Sequence, residues 1–287
     1  MEKSIHPGFP RTNILKVFFA FKAAYLAAFF MLLFSTFTSN ESMKHIRPDD
    51  LIVIDIETAP CYPSFTEMDA EWQELWEEKT SRTLPENTSA ADYYPQRAGI
   101  MAEFAKIVCI SIGYFNRETT LHLRVKSFFG TDEKKILEDF LSTLNKIEGH
   151  NKKWCFAGHN IKEFDIPFIC RRILVNQLSI PGYLDFQNMK PWETNIVDSF
   201  QYWRFGDYKH FTSLKLLAKI MNVPSSKDDI DGSMVGGLYW ESDKQQQEEN
   251  LKRIAVYCQK DVVTTANILL RFKNLPLLHP EDITIVT

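Results

Sequence analysis

LIVIDI, residues 51–56, is a short apolar run rich in β-branched residues, and with Glu57 it carries two acids two positions apart. Its length and composition predict a buried central strand. Side chains alternate across a strand, so Asp55 and Glu57 share one face while Ile54 and Ile56 turn the other way into the core. Such a strand has an apolar side and an acidic side. Taken alone the D-x-E pair is weak, because an edge strand exposing two solvated acids explains it better.

Outward from this strand the elements alternate. Residues 60–104 are an insertion rich in aromatics and acids, in which Trp72, Leu75 and Trp76 lie on one helical face. Strand-like segments follow at 106–115 and 119–128, with a hairpin turn at Asn116 and Arg117. Thr131 and Asp132 cap a helix running to about Lys146. Residues 154–160 (WCFAGHN) read as another buried strand entering a loop, and a helix starts near Glu163. A strand at 194–200, a helix at 211–221 capped by Thr212 or Ser213, and one long helix at 244–272 stopped by Pro276 complete the pattern. Strands followed by helices imply an α/β fold, a mixed sheet covered on both faces.

With 287 residues, 45% hydrophobic and 24% charged, the chain has an ordinary globular composition. A net charge of −4 argues against extensive duplex binding, which needs many phosphate-neutralising Lys and Arg residues. The five cysteines are odd in number and lack C-x-x-C spacing, so they suggest small buried thiols rather than disulfides or a zinc site. Residues 14–39 form a hydrophobic segment broken only by Lys16 and Lys22. Three readings of it stay open: a membrane anchor, a cleaved signal peptide, or an extension upstream of a true start at Met43. The chain thus divides into a hydrophobic segment, 1–42, and a folded domain, 43–287, expected to be cytoplasmic unless the segment anchors it.

Two further motifs change the weight of the first. In NIKEFD (160–165) an amide occupies a loop after a strand, with Phe164 and Asp165 opening a helix. Asn160 can fix the turn and donate to a phosphate or sugar, Phe164 offers a face for a terminal base, and Asp165 adds a third carboxylate. A helix start whose acids complement the macrodipole explains this motif if it stands alone. In YCQKD (257–261) Tyr257 and Asp261 are neighbours on one helix face. A neutral tyrosine is a poor general base, yet its hydroxyl can orient a water. Four acids from three separate elements make little sense as a core, since unpaired buried carboxylates are costly. They make sense as ligands for hard divalent cations, which take oxygen donors.

The ordered trio resembles the three exonuclease motifs of the DEDD superfamily of 3′–5′ exonucleases, in the tyrosine-containing (DEDDy) subgroup. Asp55 and Glu57 match the first motif, Asp165 with Asn160 and Phe164 the second, and Asp261 with Tyr257 the third. KIVCISIGYF, FAGHNIKEFDIPFICRR, IVDSFQYWRFG and DDIDGSMVGGLYW are similar to stand-alone exonucleases related to the proofreading domain of family B DNA polymerases. The resemblance covers about residues 50–275. It implies an RNase H-like fold with a five-stranded mixed sheet flanked by helices. It further implies hydrolysis of phosphodiester bonds by two Mg²⁺ or Mn²⁺ ions about 4 Å apart. In that scheme Asp55, Glu57, Asp165 and Asp261 hold the metals, Tyr257 orients the attacking water, and Glu57 and Thr58 contact the 3′-terminal hydroxyl.

The expected substrate is nucleic acid with a free 3′ end, single-stranded or frayed DNA, with a separate polymerase or repair protein as a further partner. Two alternatives remain: a 3′–5′ exoribonuclease of ribonuclease D type, and a non-catalytic, membrane-tethered module that binds nucleic acid. His159 is placed to reach a phosphate or to serve as a satisfied structural histidine. Arg171, Arg172, Lys209 and Lys215 are candidates to line a single-strand groove, and Asp198 is a lesser candidate for contact with the site. The stretch from Lys227 to Gly232 only faintly echoes a calcium loop, with Lys227 at the first ligand position.

Overall fold

The alternation of residues 51–57 extends further than expected, into a ten-residue strand, β1 (Leu51–Pro60). The computed structural model describes residues 46–117, 120–148, 154–190, 193–224 and 230–286. The hydrophobic segment 14–39, His150, Lys227 and Asp229 lie outside the described residues. Among the described residues no helix is long and apolar enough to cross a membrane.

After β1 come helices α1 (Ala70–Thr80) and α2 (Ala90–Arg97), then strands β2 (Ala105–Arg117) and β3 (Leu121–Phe129), and helix α3 (Glu133–Glu148). Strand β4 (Cys155–Gly158) leads to helix α4 (Asp165–Val175), and β5 (Ile196–Asp198) to α5 (Ser199–Arg204) and α6 (Leu214–Ile220). The chain continues through α7 (Val235–Tyr239), the long α8 (Lys244–Phe272) and β6 (Ile283–Val286). The strand order is β5-β4-β1-β2-β3-β6. β1, β2 and β3 pair antiparallel, whereas β4 runs parallel to β1, β5 to β4 and β6 to β3. This is the expected mixed α/β sheet, with six strands in place of five: the β-branched run Ile283–Val286 adds to the β3 edge.

The two faces of β1 have different covers. Ile52, Ile54 and Ile56 pack with Leu137, Phe140, Ile166 and Ile169 from α3 and α4. Leu51 and Val53 pack with Val262, Ala266 and Leu269 of α8. Asp55 and Glu57 continue that second face, so the fold places them beneath α8. Close approach of α8 to the sheet requires Gly113 on β2, where a Cβ would lie 2.7 Å from Val262 Cγ1. A chain of hydrogen bonds, Ser111 to Ser127 at 2.8 Å and Gln259 Nε2 to Ser127 at 2.9 Å, fixes the same contact.

Several local expectations need correction. The strand expected over 194–200 is only three residues long, because Asp198 turns to cap α5 and accepts from Phe200 N and Gln201 N. Of the aromatic face on α1, Trp76 is fully buried but Leu75 is exposed, and Trp72 only meets Phe104 edge-on. The insertion buries a small aromatic core of its own around Trp76, Tyr94 and Phe104. Strand β2 runs through Asn116 and Arg117, so these two are strand residues and not the expected turn. The helix 244–272 forms as expected, but it ends through Asn274 in the left-handed region, with Leu275 N bonded to Leu270 O, before Pro276 is reached.

Arg172 does not line a groove. It is buried, donates from Nε and Nη2 to Glu133 at 2.8 and 2.6 Å, and donates from Nη1 to Ala102 O. Glu133 also accepts from Ile107 N, which fastens α3 and α4 to the start of β2.

Candidate active site

Strand β4 ends at Gly158, so the β1 edge beyond Ile54 is left without a strand partner on that side. Gly158 itself must be glycine, since a Cβ there would lie 2.9 Å from Ile54 O and would overlap Ile161. The chain then turns through Asn160, whose φ of 63° places it in the left-handed region that asparagine tolerates. Asp198 holds this turn, accepting from Asn160 N at 2.9 Å and Lys162 N at 3.0 Å. The turn delivers Asp165 to the first position of α4. Asp165 Oδ1 accepts from Ile56 N at 3.1 Å, which fills the bond that β4 no longer supplies.

The β1 acids face α8. Ligand-capable atoms of Asp55, Glu57 and Cys258 all lie within 4.8 Å of one another. Cys258 is fully buried, and its thiol donates to the Asp55 backbone oxygen at 3.3 Å, tying α8 to the acidic strand. Sequence reasoning gave Cys258 no place here; its position between Tyr257 and Asp261 was the available signal. Between Glu57 and Thr58 the register with β2 shifts, and Thr58 Oγ1 donates to Gly99 O of the insertion. Glu57 and Asp165 are buried, while Tyr257 and Asp261 are half-buried.

Electrostatics show how closely the acids crowd. Burial holds the Asp55 carboxyl well above the usual carboxylate range, and Glu57, Asp261 and Asp165 add to the effect. Burial, then Asp261, does the same to Glu57. Asp165 is pushed up to about 7 by burial, against the opposing pull of the Ile56 amide. Burial, then Asp261, also raises the Tyr257 hydroxyl, which is hydrogen-bonded to that carboxylate. Asp55 thus feels the charges of Glu57, Asp261 and Asp165, and Glu57 those of Asp261 and Asp165, so acids from α4 and α8 act on the pair carried by β1.

Divalent cations fit this arrangement. Asp55 Oδ2 is shut off from solvent without a hydrogen-bond partner, the costly state that a bound cation relieves. The donors around it are carboxylates, the oxygen ligands that Mg²⁺ and Mn²⁺ take, whereas the Cys258 sulfur is soft and already engaged.

The other predicted residues divide. Asn160 Oδ1 is buried without a partner beside the Asp165 turn. Phe164 is half-buried, with its ring 5.5 Å from Phe168. Both ring nitrogens of His159 are engaged within the protein, with Ser199 Oγ and Thr212 O at 2.9 Å, and burial lowers its pKa. Both are thus satisfied within the protein, as the structural reading of this histidine expects. Asp198 orders the turn from behind. The segment around Gly236 packs against Pro60, and Trp240 Nε1 donates to Pro60 O, which brings α7 to the far end of β1.

A family model described as "predicted 3′–5′ exonuclease related to the exonuclease domain of PolB" matches residues 100–277, more than half of the chain. No curated protein matches it. Among solved structures, the family B DNA polymerase from the hyperthermophilic archaeon Pyrobaculum calidifontis is similar at 15% identity and a TM-score of 0.42. That similarity covers 77% of this chain and 24% of the polymerase, so the chain spans about a quarter of its length.

Proposed function

Because the chain belongs to the family of predicted 3′–5′ exonucleases related to the PolB exonuclease domain, we propose that its acidic site hydrolyses the 3′-terminal phosphodiester bond of single-stranded or frayed DNA. What supports this reading is the buried, unpartnered Asp55 Oδ2, with Glu57 close to Asp55 and the charges of Asp261 and Asp165 acting on the same carboxyl. These four side chains would hold two Mg²⁺ or Mn²⁺ ions, as in the DEDDy subgroup. When bound, such ions neutralise the carboxylates and stabilise charge developing on the phosphoryl oxygens.

The residues divide the remaining work. Tyr257 stays neutral, and its proton is directed at Asp261, so its oxygen lone pairs are free to accept from and orient the attacking water. Attack forms a new P–O bond and breaks the bond to the 3′ oxygen of the preceding nucleotide, releasing a nucleoside 5′-monophosphate. Phe164 stacks on the terminal base, while Asn160 and Thr58 border the terminal sugar and phosphate. His159 and Asp198 hold the Asn160 turn in place.

The deciding experiment uses 5′-labelled single-stranded DNA and RNA with Mg²⁺, Mn²⁺ or EDTA. The expected result is a ladder shortening from the 3′ end of DNA, abolished by EDTA and by Asp55→Ala. Preferential cleavage of RNA would favour the exoribonuclease. Equal degradation of a 3′-blocked strand would exclude end-directed action.

A further inference from the structure

The segment RFGDYKHF, residues 204–211, leaves α5 and presents three aromatic rings to solvent: Phe205 is 84% exposed, Tyr208 77% and Phe211 66%. Rings this open are unusual on a protein surface. Phe205 sits at φ 45°, ψ 37°, the left-handed region that a bulky L residue adopts only at a cost, and Gly206 follows at φ 86°. Arg204 lies 4.1 Å from the Tyr208 ring centroid and 5.2 Å from that of Phe200. The stretch 204–220 contains four basic residues, Arg204, Lys209, Lys215 and Lys219, and one acid, Asp207, although the whole chain is net negative.

This surface is built onto the active-site turn. Arg204 pairs with Glu163 at 3.5 Å, two residues before Asp165. The Phe211 ring lies 5.0 Å from Phe200, and the neighbouring Thr212 carbonyl accepts from His159 if that nitrogen carries the proton. We propose that residues 204–211, with Lys215, form a platform that holds the single strand upstream of the 3′-terminal nucleotide, its bases stacked on Phe205 and Tyr208. The proposal rests on the nuclease reading of the adjoining site. Alternating rings and cations suit a single strand, because every base has a face to stack and every step carries a phosphate. The platform also answers the charge problem: an acidic protein needs a local basic stripe to hold a polyanion.

The test compares the full chain with the Phe205→Ala/Tyr208→Ala double variant on two substrates. One is oligo(dT); the other is the p-nitrophenyl ester of thymidine 5′-monophosphate, which has no upstream nucleotides. The expected result is a KM for oligo(dT) raised about 10- to 100-fold, with kcat little changed and ester hydrolysis unaltered. A Phe205→Trp variant keeps a stacking face and should keep the wild-type KM. Anisotropy of 5′-fluorescein oligo(dT) in EDTA reads the same surface without cleavage. If the wild type binds in EDTA and the double variant does not, yet no substrate is cleaved with metal, the nuclease reading fails and the platform stands. Wild-type oligo(dT) affinity in the double variant would overturn the platform and assign the rings to another partner, such as a protein. Equal losses on both substrates would also overturn it, by showing a merely structural role.

Discussion

The Asp165 carboxylate accepts a hydrogen bond at 3.1 Å from the Ile56 backbone N–H, the amide between Asp55 and Glu57. One side chain therefore serves two ends: it completes the edge of β1 and brings a third negative charge to the site. Asparagine and alanine at this position separate the two roles. Asp165→Asn keeps an acceptor for Ile56 N–H and removes the charge. It should fold with stability at or above that of the wild type at pH 8, yet lose at least roughly 10²-fold in 3′-end digestion. Asp165→Ala leaves the amide unpaired and should cost about 1–3 kcal/mol in urea melts as well. Matching stability losses in both variants would show that the hydrogen bond contributes nothing.

The raised carboxyls make stability depend on pH in a stated direction. Asp165 is pushed up to about 7 and Asp55 and Glu57 lie well above the usual range, so the folded protein binds more protons than the unfolded chain. Stability is then full at low pH and is lost as pH rises from about 4 through 7. The metal-free protein should melt on the order of 5 °C lower at pH 8 than at pH 5. Mg²⁺ or Mn²⁺ should recover most of that loss at pH 8 and little at pH 5, because protons and cations compete for the same oxygens. A melting temperature that rises with pH in EDTA would contradict the crowded-acid site.

How much of this was legible in the sequence follows from which interactions are local. The period of LIVIDIE assigned Asp55 and Glu57 to one face, and four-residue spacing did the same for Tyr257 and Asp261. Both survive because each depends on a single regular element. Asp198 was underestimated because its role is to hold amides of a turn 36 and 38 residues earlier, a contact no spacing encodes. Arg172 was misplaced for the same reason: nothing near it announces Glu133 as its partner 39 residues away. Strand β6 was missed although Ile283–Val286 is β-branched, since a four-residue run forms a strand only when an edge such as β3 is there to receive it.

Tyr257 tests whether the third motif supplies more than a carboxylate. Burial and the neighbouring acids raise its pKa, so it stays neutral across any working pH. Tyr257→Phe should lower kcat about 10²-fold while leaving KM near the wild-type value, because orientation of the water is lost and ground-state binding is not. The pH–rate profile should show no alkaline limb that disappears in the variant. A limb present in the wild type and absent in Tyr257→Phe would instead make the tyrosine a titrating base.

The Glu133–Arg172 pair offers a control that separates scaffold from substrate grip. Both side chains are 8% exposed, and removing one partner strands the other as a buried charge. Arg172→Met should therefore destabilise by about 3–5 kcal/mol in chemical denaturation. Glu133→Leu combined with Arg172→Met should recover a large part of that loss, although Ile107 N then lacks its acceptor. In the fraction that remains folded, KM for single-stranded DNA should not change, because the guanidinium faces Glu133 and Ala102 O rather than the groove. A raised KM at unaltered stability would return Arg172 to the substrate path and displace it from the core.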